Sequence, residues 1–579
     1  MTLPVVSISG KKKKKPSLVL TLSGAGLLIG GGIAAYWLLT AGKPLSRDMP
    51  VGANIIPQDA LFTVSLSTDS SQWEKLRSFG TKASQSALDK NLIQLRDRFL
   101  AKEGFDFKKD VSPWVGDQVT IAILAPKAPV TASKPVASDG KLATVEQSLV
   151  MVLPIKDQNK IQTAFKRPLA LKGKWVDREY EGITIKDGLT KSGEKLSTAI
   201  IENRFLVIAD NSKAAERTIK AYKDKATLAS SNGFAKHLPK ITTYQPLAQF
   251  YVNVPSAAQI ASATSAKRRL PAKVLAQLKN NQGLAGTVSL ESQGLRLKGI
   301  SWLKPNSRRV LAVENKANTM TTRLPAETLM MFSGGNLRRL WADYVLTSQK
   351  NPLAPVKPEN LRSGFKNYLG LDLDRDLLSW MGGEFAVSVI PQVANQDSPQ
   401  DVRAALVFMV QAKDKRKAEA SLKQLDDAMR NQYQFKIKED KVGEIPVIRW
   451  IGPSGTLTAT HGWLDGDIAF LTLGTPITDK IIPKPQNILA NAGSFQKAVP
   501  SELNPTNTQF FLDMEGAVTS MSIPALFPDQ QSFLNALNSI GVTSAVTDNR
   551  TTRYDILLKL KKGEKPSVLP SPVIEEGEK

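Results

Sequence analysis

Regularly spaced aspartates are the first residues in this sequence that could do chemistry. Asp372, Asp374 and Asp376 alternate along the chain, as do the first ligands of an EF-hand calcium loop. Such a loop needs glycine at its sixth position and glutamate at its twelfth, where this chain has Leu377 and Gly383. The match fails, and the sequence predicts neither a metal site nor a cofactor.

An earlier segment repeats part of the same pattern. Asp106 and Asp110 have the spacing of Asp372 and Asp376, but Lys108 stands between them. Retention of the outer acids without the central one favours a helix-capping or turn role over metal binding.

Two tryptophans follow these acids at matching places. Trp114 and Trp380 each stand two residues before a glycine, Gly116 and Gly382. In a ligand site they would be stacking platforms, whereas in a core they would anchor the strand that enters the sheet. We favour the structural role.

The remaining catalytic candidates are few. The chain has no cysteine and two histidines, His237 and His461, which excludes disulfides, thiolate sites and a zinc site of several imidazoles. The histidines stand at different places in the pattern described below, so we expect no catalytic pair, and Asp465-Gly466-Asp467 is typical of a hairpin turn. No nucleophile elbow, Walker loop or HExxH motif is present. We therefore predict no catalytic residues, although a pair of carboxylates hidden by sequence distance stays open.

The elements that would position these residues occur twice. The segments before and after the midpoint match in order and spacing, with offsets between 257 and 268 residues. The matched pairs include 56–62 with 324–330, 105–116 with 371–382, 148–152 with 405–409, 232–234 with 493–495, and 249–252 with 509–512. Self-similarity over some 200 residues indicates a duplication.

Each copy alternates apolar strands with helical stretches. Strands joined by hairpins with interspersed helices predict an α+β fold with mainly antiparallel sheets in two tandem homologous domains, after one N-terminal transmembrane helix. The expected boundaries are a cytoplasmic basic stub at 1–16, the transmembrane helix at 17–42, repeat domain 1 at 50–303, a linker at 304–322, repeat domain 2 at 323–560 and a disordered tail at 561–579.

The membrane prediction comes from the start of the chain. Five consecutive lysines, Lys11 to Lys15, precede an uncharged stretch from Ser17 to Ala41. As a helix this stretch is roughly 37 Å long, more than the ~30 Å hydrocarbon layer. It exceeds the apolar core of a cleaved signal peptide, and the positive-inside rule places the N-terminus in the cytoplasm. Gly26, Gly30 and Ala34 share one helix face, so a homodimer through this face is possible.

Charge limits the partners. The formal net charge is +24, of which residues 1–50 supply seven cations and one acid. The other cations are scattered, without aromatic interleaving or a nucleic-acid-binding motif, so we expect no nucleic-acid partner.

The pattern resembles a domain-of-unknown-function family found largely in cyanobacteria, whose members have one N-terminal membrane helix and an exported body. The likeness rests on a "P-x-D/E-x-L" strand start at Pro57 to Leu61 and again at Pro325 to Leu329. The resemblance implies a plasma or thylakoid membrane, with the body in the periplasm or lumen. It supplies no activity and no site residues.

The sequence alone thus favours a membrane-anchored extracytoplasmic binding or scaffold protein, with the lipid bilayer and one or more proteins as partners. A carrier of lipid or another apolar ligand, and a hydrolase of an envelope polymer, are the alternatives.

Overall fold

A computed structural model describes most of the chain after residue 48. The described residues are 49–99, 106–125, 147–166, 175–189, 193–263, 280–307, 309–348, 357–392, 404–453, 455, 458–474, 476–520 and 531–571.

The described residues of the first half form ten strands. They are β1 (Ala60–Ser67), β2 (Gln118–Leu124), β3 (Ser148–Pro154), β4 (Val176–Tyr180), β5 (Ile183–Leu189), β6 (Lys195–Ile201), β7 (Phe205–Ala209), β8 (Ala248–Asn253), β9 (Asn281–Glu291) and β10 (Gly294–Leu303). Burial alternates strictly along β2, because successive side chains of a strand point to opposite faces.

Ten more strands form in the part of the second half that the structure describes. They are β11 (Met330–Gly334), β12 (Phe385–Pro391), β13 (Ala404–Gln411), β14 (Lys436–Val442), β15 (Ile445–Ile451), β16 (Thr458–Leu464), β17 (Ile468–Gly474), β18 (Thr508–Asp513), β19 (Leu537–Asp548) and β20 (Thr551–Leu560).

Helices connect and cover these strands. The described helices are α1 (Ser70–Arg77), α2 (Lys82–Phe99), α3 (Gln158–Lys166), α4 (Ser212–Lys223), α5 (Asn232–His237), α6 (Val254–Ala263), α7 (Leu337–Ser348), α8 (Pro358–Leu369), α9 (Lys415–Tyr433), α10 (Gly493–Ala498), α11 (Met514–Ser520) and α12 (Gln531–Leu534). Capping and packing explain α4. The helix begins after Asn211, and the Asn211 side chain accepts a hydrogen bond from the Ala214 N–H at 2.9 Å. Its buried side includes Ala215 and Ile219, which join the main core of the first half.

All twenty of the described strands belong to one sheet. The pairings are antiparallel and give the order β4-β5-β6-β7-β3-β2-β1-β8-β9-β10 in the first half. The second half has the corresponding order, β14-β15-β16-β17-β13-β12-β11-β18-β19-β20. Strands β10 and β20 pair with each other, so the sheet is continuous across the middle of the molecule.

The junction between β10 and β20, here called the seam, is held by charged groups. Lys298 lies directly opposite Asp555, and the guanidinium of Arg296 donates to both Asp555 carboxylate oxygens at 2.9 and 2.6 Å. Glu502 reaches the seam from a loop and forms ion pairs with Arg296, Lys298 and Arg553 at 3.2, 2.5 and 3.1 Å. Partial burial opposes ionisation, yet the bond from Lys298 and the surrounding cations keep the pKa of Glu502 below its usual value.

The fold-class prediction was wrong as stated. It described two tandem domains with mainly antiparallel sheets, and the described strands form one sheet that passes through both halves, because β10 and β20 satisfy each other's edge groups. It also included a transmembrane helix. Within the described residues no helix is both long enough and apolar enough to cross a bilayer. The predicted segment 17–42, with Gly26, Gly30 and Ala34, lies outside those residues, as does the basic stub 1–16.

Part of the predicted tail, up to residue 571, lies within the described residues. Residues 562–571 run as an extended strap across α1 and α2 of the first half. Arg77 donates to the Ser567 carbonyl at 2.7 Å, and Gln85 donates to the Glu564 carbonyl at 2.9 Å. Side chains from another part of the chain thus satisfy backbone groups that sequence reasoning left to water.

The predicted linker also has fixed contacts. Asn315 exchanges two hydrogen bonds with the backbone of Val546, at 3.0 and 3.1 Å. The segment therefore lies against β19 instead of standing apart from the two halves.

Candidate functional site

The aspartate turns are built by backbone capping. In the first half the Asp106 carboxylate accepts from the Lys109 N–H at 2.9 Å, while Asp110 accepts from the Asp106 N–H at 2.8 Å. The reciprocal pair closes one π-helical turn, Phe107–Val111. These carboxylates are thus engaged by N–H donors, the role that the sequence favoured.

The second half repeats this geometry. Asp372 accepts from the Arg375 N–H at 2.9 Å, and Asp376 accepts from the Asp372 N–H at 2.8 Å. The central Asp374 pairs with Arg362 and accepts from the Trp341 indole at 2.8 Å, and the bond from Arg362 lowers its pKa. Among the described residues no group of three or more potential ligands is placed to hold a metal.

Both tryptophans are buried where the turns meet the sheet. The Trp114 indole donates to the Asp110 carbonyl at 2.6 Å and packs with Val111 and Leu153. Trp380 packs with Phe385 and Val410. Neither ring is exposed as a platform for a ligand.

The two histidines lie in different halves and are both buried. His461 on β16 is 2.7 Å from an Asp426 carboxylate oxygen, which also accepts from the Trp450 indole at 2.6 Å. His237 ends α5 and stacks on Trp302, with ring centroids 4.6 Å apart. The structure does not bring the histidines together.

Asp465 and Asp467 flank Gly466 in the tight connection between β16 and β17. Gly466 has φ +74°, a conformation that glycine adopts without strain. Asp465 pairs with Arg323, and Asp467 pairs with Lys415 at 3.1 Å. This is the expected hairpin turn.

A polar cleft of about 510 Å³ opens in the first half. It lies where the chain entering β1 and the start of α5 approach the ends of β8 and β10. We call it the first-half cleft; its lining is Gln58, Asp59, Ser230, Ser231, Asn232, Gly233, Tyr251, Asn253, Pro255, Gln282 and Lys304.

The floor of the first-half cleft is aromatic. Tyr251 is only 5% exposed, and its ring lies 6.1 Å from Trp302 at an interplanar angle of 14°. Burial raises the pKa of Tyr251 to about 12, so its hydroxyl keeps its proton. Within the described residues that hydroxyl has no hydrogen-bond partner.

More unpaired donors and acceptors lie behind this floor. In the described structure the Trp302 Nε1, His237 Nδ1 and Ser231 Oγ atoms are buried without a partner. A Cβ atom at Gly233 would lie 2.8 Å from the Trp302 Nε1 atom, so only glycine fits beside the indole there. Unsatisfied buried polar atoms are uncommon in native proteins, and three of those in the described structure lie near this floor.

A smaller cleft of about 300 Å³ lies in the second half, between residues 315–319 and the ends of β11, β12 and β13. Its carboxylate is Glu384, which accepts from the Thr319 and Met320 N–H groups at 2.8 and 3.0 Å. Burial raises the pKa of Glu384. The carboxylate holds the chain segment in place, as does Gln118 at the matching position, which accepts from the Val51 N–H at 3.3 Å.

Sequence reasoning missed the first-half cleft. Its residues come from five segments that are distant in the chain, and no short motif joins them. A position-by-position comparison of the two copies would have given one signal. Gln58, Asn232 and Tyr251 of the first copy correspond to Ala326, Gly493 and Phe511 of the second.

Comparison with solved structures found crystal forms IV, I and III of TP0453. They are 10% identical to this chain, cover 45–46% of it and 81–82% of their own chains, and superpose with TM-scores of 0.23, 0.24 and 0.21. These values are too low to support an inference about fold or function. No curated protein showed a significant match to the chain.

A family model, by contrast, matches residues 21–560, which include nearly all of both halves. The chain therefore belongs to the family described as protein of unknown function (DUF3352).

Proposed function

We propose that this protein is a binding or scaffold protein that holds two related surfaces in a fixed relation. The observation that carries the proposal is the seam, where β10 and β20 join the halves into one sheet. Two surfaces on a rigid body engage a repeated or bivalent partner with a raised effective concentration.

The chemistry of the two described clefts supports binding over the alternatives. The lining of the first-half cleft is mainly amide and hydroxyl groups, and that of the second-half cleft is polar too, which does not favour an apolar ligand. Each contributes one carboxylate to its lining. Asp59 pairs with Arg217 at 2.8 Å, and Glu384 holds backbone N–H groups. No described observation therefore favours the carrier or the hydrolase.

Site-specific photo-crosslinking in the producing cell tests the proposal. Crosslinkers replace Val176 on β4 and Lys438 on β14, which occupy matching positions in the two halves and are both exposed. Two related surfaces predict that both positions capture the same partner. A crosslinker at the exposed Val568, on the strap, is the control and should not capture it. Failure to capture any common partner at Val176 and Lys438 contradicts the proposal.

We also propose that the body works outside the cytoplasm, in the periplasm or thylakoid lumen of a cyanobacterium. The supporting observations are the lysine cluster Lys11 to Lys15 before an uncharged stretch, and the family resemblance. Fractionation with protease protection tests the location. Recovery of the intact protein in the cytoplasmic fraction contradicts it.

A further inference from the structure

The lining of the first-half cleft has a consistent chemical character, which suggests a class of ligand. We propose that this cleft binds a saccharide unit, held by side-chain amides and by the Tyr251 hydroxyl. The inference rests on the binding function proposed above. It names the chemical class of a ligand at one defined site, the first-half cleft.

Free amides supply the first argument. Within the described residues the side-chain amides of Gln58, Asn232 and Gln282 have no hydrogen-bond partner. Each offers both a donor and an acceptor. A sugar hydroxyl likewise donates and accepts, so several such amides around one cleft complement a ring that carries several hydroxyls.

Tyr251 supplies the second argument. Its side chain is more than nine-tenths buried and lines the cleft, yet its hydroxyl has no partner in the described structure. The hydroxyl itself opens to the cleft, since it is not among the described buried atoms that lack a partner. A ligand oxygen in the cleft would accept from it in place of water.

The charged residues of the cleft limit the charge that its ligand carries. Asp59 is neutralised by Arg217, whereas the Lys304 ammonium forms no ion pair among the described residues. A single cation is weak support for a phosphate, which is usually held by several donors. It suits a neutral sugar, or one that carries a carboxylate beside Lys304.

A peptide could also use these amides, but the lining does not favour it. Peptide-recognition sites add pockets for side chains to their backbone contacts. Here the lining has little apolar surface beyond Tyr251 and Pro255. The observations therefore favour the saccharide, and a peptide is an outcome that the experiment separates.

The second half provides an internal comparison. The positions of Gln58, Asn232 and Tyr251 are occupied there by Ala326, Gly493 and Phe511. The amide and phenol groups are absent from the second copy, so one binding site per chain is expected.

Titration calorimetry of the full chain tests the proposal with four probes: cellobiose, N,N′-diacetylchitobiose, digalacturonic acid and trialanine. We expect at least one saccharide to bind at one site per chain. Y251F should weaken that binding by about fivefold or more, the loss expected for one hydrogen bond. This variant should fold, since phenylalanine stands at the matching position in the second half.

The control and the contrary outcomes are specific. K316A, in the second-half cleft, should bind the saccharide as the wild type does. The proposal is overturned if no saccharide binds, if trialanine binds more tightly than every saccharide, or if Y251F binds as tightly as the wild type. If crosslinking recovers a partner and calorimetry shows no saccharide binding, only the saccharide inference fails.

Discussion

At the scale of single residues, His237 belongs to a stack of aromatic rings beneath the first-half cleft. The imidazole lies against Trp302, and Trp302 lies against Tyr251. Burial lowers the pKa of His237 to about 4, with repulsion from Lys240 and Lys236 adding to the effect and Asp548 opposing it. The ring is therefore neutral in the folded protein at neutral pH.

This burial predicts a pH-dependent stability. Between pH 6.5 and 4 the unfolded chain binds a proton at His237 that the folded chain does not. Stability from this residue is present above pH 6.5 and is lost as the pH falls towards 4, by about 3 kcal/mol. H237F, which keeps an aromatic ring on Trp302, should lose less stability over this range.

Urea denaturation from pH 4 to pH 8 measures the difference between the two proteins. Y244F, at an exposed position, is the control and should follow the wild type. If the free energies of unfolding of the wild type and H237F fall in parallel between pH 6.5 and 4, the prediction that His237 is buried in its neutral form is wrong.

At the scale of elements, the strap over α1 and α2 shows how remote segments complete each other. Gly563 donates to the Ser78 carbonyl at 2.9 Å, and the Gly80 N–H donates to the Lys561 carbonyl at 2.7 Å. These bonds satisfy the groups at the end of α1, a helix of eight residues that is too short to be stable alone. The last strand of the second half thus continues into a support for the first.

Deletion of residues 562–579 should loosen α1 and α2. The deletion removes one acceptor each of Arg77 and Gln85, and the Gly563 donor to the Ser78 carbonyl. Amide exchange at residues 70–99 should therefore become at least about tenfold faster, the equivalent of roughly 1.4 kcal/mol. Hydrogen exchange with mass spectrometry measures this. Deletion of 572–579 alone leaves the strap and should have no such effect. Unchanged exchange after the longer deletion would show that the strap is dispensable.

At the scale of the whole molecule, the seam determines whether two halves behave as one body. Lys298 stands opposite Asp555 across the seam. The two residues also occupy matching positions in the two copies. Arg296 and Arg553 likewise correspond. The two copies therefore meet with matching strands, and opposite charges face each other where they cross the centre.

We predict that the wild type unfolds in one calorimetric transition and that D555A weakens the seam. Asp555 is 1% exposed, and its loss leaves Arg296 without its bidentate partner, at a cost of about 3 kcal/mol. The transition should then split or move to a lower temperature. Differential scanning calorimetry of the full chain measures both.

An exposed ion pair is the control for this variant. D177A removes the pairing of Lys186 with Asp177 on β4 and β5, where both side chains are about half exposed. Its effect should be below about 1 kcal/mol. Two well-separated transitions in the wild type, or equal effects of D555A and D177A, would contradict a seam that couples the halves.

The sequence by itself determined the local features of this protein. The capping by Asp106 and Asp110 and the turn at Gly466 depend on groups a few residues apart, so a capping or turn role could be predicted from their spacing. The structural role of Trp114 and Trp380 was predicted from their matching places in the two copies, although their packing partners Leu153 and Val410 lie further along the chain. Tertiary structure alone decided that β10 pairs with β20, that residues 562–571 cross to the first half, and that Gln58, Asn232 and Tyr251 share one cleft. These contacts join residues from about 20 to nearly 500 positions apart. Strand edges and polar side chains carry no local signal of the partner that will satisfy them, because that partner is fixed only when the whole sheet forms.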